Sequence, residues 1–182
     1  MRLFAFAAML VLAGCSSLNL DTANRLRTLD YLHDDIASLV LAFDLPRGLE
    51  PKTDGSVLTF DVTTASAGER HLKAVLERAD ADEVAGMLPP PARDRVYFLF
   101  GFSEKDKAAL RSSQQWARAL PAGSGGSIKV SMSPAFCTFA PLDPTTTTVS
   151  VLIASPGETS LAPLISNQKL SETLKGAAPE AC

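Results

Sequence analysis

The chain has 182 residues, of which 46% are hydrophobic and 20% charged, with 12 Pro, 11 Gly, 3 Cys and 2 His. That mixture excludes a wholly disordered chain, a collagen-like repeat and a polytopic membrane protein, and the length suits one domain with a short tether. With 17 basic against 20 acidic side chains and a net charge of −3, the chain lacks the basic balance that a nucleic-acid binder needs.

Arg2 precedes an uncharged apolar run, Leu3 to Leu12, which ends in Ala13-Gly14-Cys15-Ser16-Ser17. A helix of that length covers about 15 Å, half of a bilayer core of about 30 Å, and is too short to span. One basic residue, a short apolar core and small residues after it form the pattern of a secretory signal. Within that pattern Leu12-Ala13-Gly14-Cys15 resembles the lipobox of bacterial lipoproteins, the signal peptidase II type. The resemblance ends at Ser17, and no domain family is recognised beyond it. It implies cleavage between Gly14 and Cys15, a diacylglyceryl group on the Cys15 sulfur, and palmitate-type acylation of the new amine. Ser16 stands where an Asp would retain the protein in the inner membrane, so the resemblance implies the outer membrane; the periplasmic face is the expected side, with exposure at the cell exterior the alternative. Residues 1–14 are then a cleaved signal peptide, 15–20 a lipidated anchor and short tether, and 21–182 a single globular domain. Each buried CH₂ contributes about 0.8 kcal/mol, so two or three acyl chains hold where one binds marginally. Cleavage takes Arg2 from the 17 basic residues and leaves 16 against 20 acidic ones, a net of −4. Anchoring falls to the lipid, not to charge.

Assigning Cys15 to lipid leaves Cys137 and Cys182, an even pair for an oxidising compartment, and a bridge is expected between them. The chain-entropy model gives about 4 kcal/mol for a loop of that length. The bridge would fasten the tail Gly176 to Ala181, which otherwise frays. Two unpaired thiols or an intermolecular pair are the alternatives. The cysteines have no C-x-x-C spacing and no nearby His, so no metal and no cofactor is expected.

Asp21-Thr22 can cap a helix, and Leu26, Leu29, Leu32 and Ile36 recur at helical spacing, predicting a short N-terminal helix over about 22–34. Leu39, Leu41, Phe43 and Leu45 then alternate as a strand stopped by Pro46, although the helix could instead run on to Phe43. Residues 46–55 carry turn chemistry closing on Asp54-Gly55. Leu58, Phe60 and Val62 alternate with polar residues as a second strand, and Ala67-Gly68-Glu69 turns the chain. His71 to Ala79 fits strand or helix; its flanking strands need a partner, which favours the strand. Asp80, Asp82 and Glu83 form an acidic turn without the glycine and distal Glu of a calcium loop. Leu88-Pro89-Pro90-Pro91 cannot join a ladder. Val96 to Phe102 is strongly β-prone and apolar on both faces, predicting a central strand covered on both sides.

Ser103 is the expected N-cap of an amphipathic helix over about 104–119, with Glu104 and Asp106 in its first turn and Pro121 after its end. Its apolar stripe reads Ala109, Leu110, Ser113, Trp116, Ala117 and Leu120, which makes Trp116 a core anchor. Residues 122–126 read as a loop. Ile128, Val130 and Met132 alternate as a strand, Phe136 to Phe139 as a short one carrying Cys137, and Thr146 to Ile153 as a terminal strand. Leu161, Leu164 and Ile165 are expected in a covering loop, and 167–175 in a final helical turn or two.

Five to seven short strands with a surface helix predict a mostly β protein: an antiparallel β-sandwich, immunoglobulin-like being the nearest common solution. An α+β antiparallel sheet with helices on one face is the rival. His33 lies near Asp30, Asp34 and Asp35, and His71 near Glu69, but neither has the spacing of a zinc site. Gly123-Ser124-Gly125-Gly126 follows a helix and lacks Lys-Ser/Thr, unlike a phosphate loop or nucleophile elbow. Three functional readings follow. The first is a non-catalytic envelope lipoprotein that binds another envelope protein. The second is a small-ligand binder with a pocket lined by Phe98, Phe100 and Trp116. The third is a hydrolase using His33 or His71.

Overall fold

Alternation of apolar residues sets the architecture of this chain, whose computed structural model describes residues 30–52, 55–64, 67–79, 85–121 and 126–182. In chain order the strands are β1 (Val40–Pro46), β2 (Leu49–Pro51), β3 (Val57–Thr64), β4 (Gly68–Arg78), β5 (Arg95–Phe102), β6 (Gly126–Ser133), β7 (Phe136–Thr138), β8 (Thr148–Ala154), β9 (Ala162–Lys169) and β10 (Glu180–Ala181). Helix α1 (Glu104–Arg118) follows β5, and the single turn α2 (Leu170–Thr173) follows β9. Seven strands form one sheet in the order β6-β3-β4-β5-β1-β8-β9, and three form a second, β10-β7-β2. Among the described residues every pairing is antiparallel except that of β10 with β7. The protein is mostly β, as its sequence predicts, with its strands divided seven and three.

β5 is the middle strand of the seven. On one face Phe100 and Phe102 join Leu41, Phe43, Leu45, Val149 and Val151 in the main core. Phe43 meets Phe100 edge-on at 5.3 Å and Phe136 of the second sheet at 5.9 Å, so ring contacts tie the two sheets together. On the other face Leu99 packs with Ala42, Leu152, Ala154 and Leu161, under Met87 and Leu88 of the segment before β5. Central position and two-sided cover are what the apolar run predicts.

β4 makes the corner. Gly68 to Val75 pair with β3, whereas Leu76 to Arg78 pair with β5 on the other side. A strand that changes partners in this way turns a sheet. Gly68 supports the preceding turn at φ +80°, a region that favours glycine. At the junction of the sheets, a Cβ on Gly55 would lie 2.7 Å from that of Ala135, so only glycine fits there. The buried Ser56 hydroxyl beside it accepts from the Ala135 N–H at 3.1 Å.

Helix α1 starts where its sequence says, with the Ser103 hydroxyl accepting from the Asp106 N–H at 3.0 Å. The Asp106 carboxylate in turn accepts from the Val75 N–H on β4, at 3.1 Å. Leu110 and Ser113 are buried as expected, but Ala109 is exposed and Gln114 is buried instead. Gln114 earns that place by donating to the carbonyls of Tyr31 and Asp34, at 2.6 Å each. Trp116 is half-buried beneath the Arg70 guanidinium, 4.2 Å from its ring centroid, and not the core anchor expected.

Other expectations need correction. The short helix over 22–34 lies mostly outside the described residues, and its last residues, 31–34, form a turn followed by a 3-10 turn at Ile36–Ser38. β8 is not terminal, because the expected loop at Leu161–Ile165 runs into β9. The acidic turn at 80–83 and residues 122–125 of the glycine-rich loop lie outside the described residues, while Gly126 opens β6. Among the described residues no helix is long and apolar enough to cross a membrane.

Candidate functional site

Gly14 and Cys15 lie outside the described residues. The other two cysteines meet: Cys137 and Cys182 are bridged, with Cα atoms 4.9 Å apart across 45 positions of sequence. The geometry behind this is the small second sheet. β7 places Cys137 opposite Glu50 of β2 on one side and Glu180 of β10 on the other. The Cys182 N–H donates to the Thr138 carbonyl at 3.0 Å, and Lys52 holds Glu180 at 2.9 Å. Hydrogen bonds, an ion pair and a covalent bond thus fasten the last residues. The Lys52 ammonium draws the Glu180 carboxyl below its ordinary range.

The two histidines occupy separate places. His33 is exposed and its Nδ1 meets the Asp30 carboxylate three residues earlier, a local contact within one turn. His71, on the solvent face of β4, has Nδ1 2.8 Å from Asp61 on β3 and Nε2 3.5 Å from Glu69. Asp61, foremost among its neighbours, pushes the His71 pKa above its ordinary 6.5. Asp61 was not among the residues that the sequence pairs with His71. Only the register of the hairpin, Asp61 opposite His71, brings it there. A Ser-His-Asp relay needs one imidazole nitrogen facing the nucleophile. Both His71 nitrogens face carboxylates, an arrangement suited to an ion-paired imidazolium. Among the described residues no group of three or more His, Cys, Asp or Glu side chains is placed to hold a metal ion.

The three aromatic rings expected around a pocket are instead covered by protein groups. Phe100 is buried in the main core. The Arg78 guanidinium lies 4.5 Å from the Phe98 ring centroid, and the Arg70 guanidinium 4.2 Å from that of Trp116. Arg78 also reaches Glu50 of β2, at 3.8 Å, linking the two sheets by charge. The sequence gives no signal for these cation–ring contacts, because each joins residues from different elements.

No family model matches the chain, and neither the curated proteins nor the solved structures contain a significant match to it.

Proposed function

We propose that this protein is a lipid-anchored lipoprotein of the bacterial envelope, held at the periplasmic face of the outer membrane, with a non-catalytic role in protein interaction. The observation that carries this reading is the run Leu3–Leu12 followed by Leu12-Ala13-Gly14-Cys15. Acyl chains on Cys15 supply the membrane partner, and an envelope protein is the second. The Cys137–Cys182 bridge supports export, because structural disulfides persist in oxidising compartments. The β-rich body supports a binding role over a chemical one, since both nitrogens of His71 are engaged by carboxylates and His33 by Asp30. Small-ligand binding is less favoured, because Phe98, Phe100 and Trp116 are covered by Arg78, the main core and Arg70.

The test is metabolic labelling with a tagged fatty acid in cells expressing the protein or its Cys15→Ser variant. Label on the parent and none on the variant supports the reading. Absence of label on the parent would overturn it.

A further inference from the structure

The two edges of the large sheet are built differently. Edge strand β9 carries Pro163, register shifts against β8 and Asn167 at φ +51°, all features that obstruct pairing with another strand. Edge strand β6 has none of these between Gly126 and Ser133, and Lys129 is its lone charge. Ile128 and Val130 on β6 are 38% and 53% exposed. They lie in register with Val62 and Phe60 of β3, whose side chains are buried, so the apolar face of the wing formed by β6, β3 and β4 runs on to a margin that, among the described residues, is open.

We propose that β6 is a self-association edge that pairs antiparallel with β6 of a second copy about a two-fold axis through Val130. About that residue the strand matches in chemistry at Ile128 and Met132 and at Ser127 and Ser133, and differs only at Lys129 and Ser131. Ile128 then faces the second copy's Met132, Lys129 faces its Ser131, and Ser127 faces its Ser133. The row Leu72–Phe60–Val130 continues without a break into the same row of the second copy. Charge fixes the register. An axis through Lys129 would set two ammonium groups directly opposite each other, which is unfavourable. An axis through Val130 leaves each lysine against a serine, with Asp61 of its own chain across the strand. One patch serving both partners is what a closed two-fold interface requires. This inference names the partner for the interaction role proposed above, and does not depend on the acyl group at Cys15.

The experiment uses the full chain purified in detergent and, separately, in native membranes. Sedimentation should give a dimer for the parent, and Val130→Lys should weaken it by roughly tenfold or more, because like charges then meet on the axis. Val130→Asp alone should weaken it likewise, and mixing the two differently tagged variants should restore a mixed dimer. In membranes, Val130→Cys should crosslink to itself through a short thiol reagent. Ser127→Cys should crosslink to Ser133→Cys but not to itself. A parent that stays monomeric, variants that associate as the parent does, or mixed variants that fail to pair would overturn the proposal. So would crosslinking of Val130→Cys to a different protein or to none. Unchanged melting temperatures at dilutions where the parent too is monomeric separate loss of association from loss of folding. Failure here with label still on Cys15 would refute the edge and leave the anchor standing.

Discussion

β5 is apolar on both faces and β6 alternates apolar with polar residues; Phe100 on β5 is fully buried, whereas Val130 on β6 is 53% exposed. The difference lies in their neighbours. β5 has β4 and β1 beside it, the main core on one face, and Met87 and Leu88 over the other. β6 has β3 on one side and is an edge of its sheet on the other. Periodicity tells a residue which face it occupies. Cover comes from elements that pack across that face, often from far along the chain.

Mutation can break this contrast directly. In urea unfolding of the dilute monomer, Phe100→Ala should cost about 3–5 kcal/mol, whereas Val130→Ala should stay within about 0.5 kcal/mol. Equal losses would mean that the centre and the wing are not distinct. The second sheet comes next. Replacing Cys137 and Cys182 together by Ser should cost about 2–4 kcal/mol, and amide exchange should speed up at residues 180–182 while β5 stays protected in native conditions. Protection retained throughout would show that the hydrogen bonds and the Lys52–Glu180 ion pair hold β10 without the bridge.

Two smaller effects sharpen the account of α1, which packs beside the wing. Gln114→Ala should cost about 1–3 kcal/mol, because the Tyr31 and Asp34 carbonyls lose a buried donor. Ser103→Ala should cost about 1 kcal/mol through loss of the cap on Asp106. The smallest effect belongs to the solvent face of the hairpin. Asp61 favours the His71 imidazolium, so that contribution is fully present below pH 6.5 and lost as pH rises through the higher folded value. In His71→Gln the fall in stability above pH 6.5, followed by thermal unfolding, should flatten. An unaltered profile would show that the Asp61 contact contributes nothing to folding.

What the sequence made legible was local. β1 and β3 were readable from alternation, β5 from an apolar run on both faces, and the start of α1 from its N-cap, all written within a few residues. β9 was hidden because Pro163 and polar residues at 166–169 mask its alternation, and pairing with β8 shifts register. β2 and β10 span three residues and two, too few to carry a period. The burial of Gln114 and the partly exposed position of Trp116 depend on Tyr31, Asp34 and Arg70, which lie 83, 80 and 46 positions away by residue number. Counting cysteines did locate the bridge, since the lipid assignment of Cys15 left only one pair. The partner of His71 was hidden because it required the hairpin register.

The proposed anchor is read out by the intact mass of the mature protein extracted from membranes. The expected species is a chain beginning at Cys15, heavier by two or three acyl chains, with Cys137 and Cys182 still joined. A chain that begins elsewhere, or an unmodified Cys15, would contradict it.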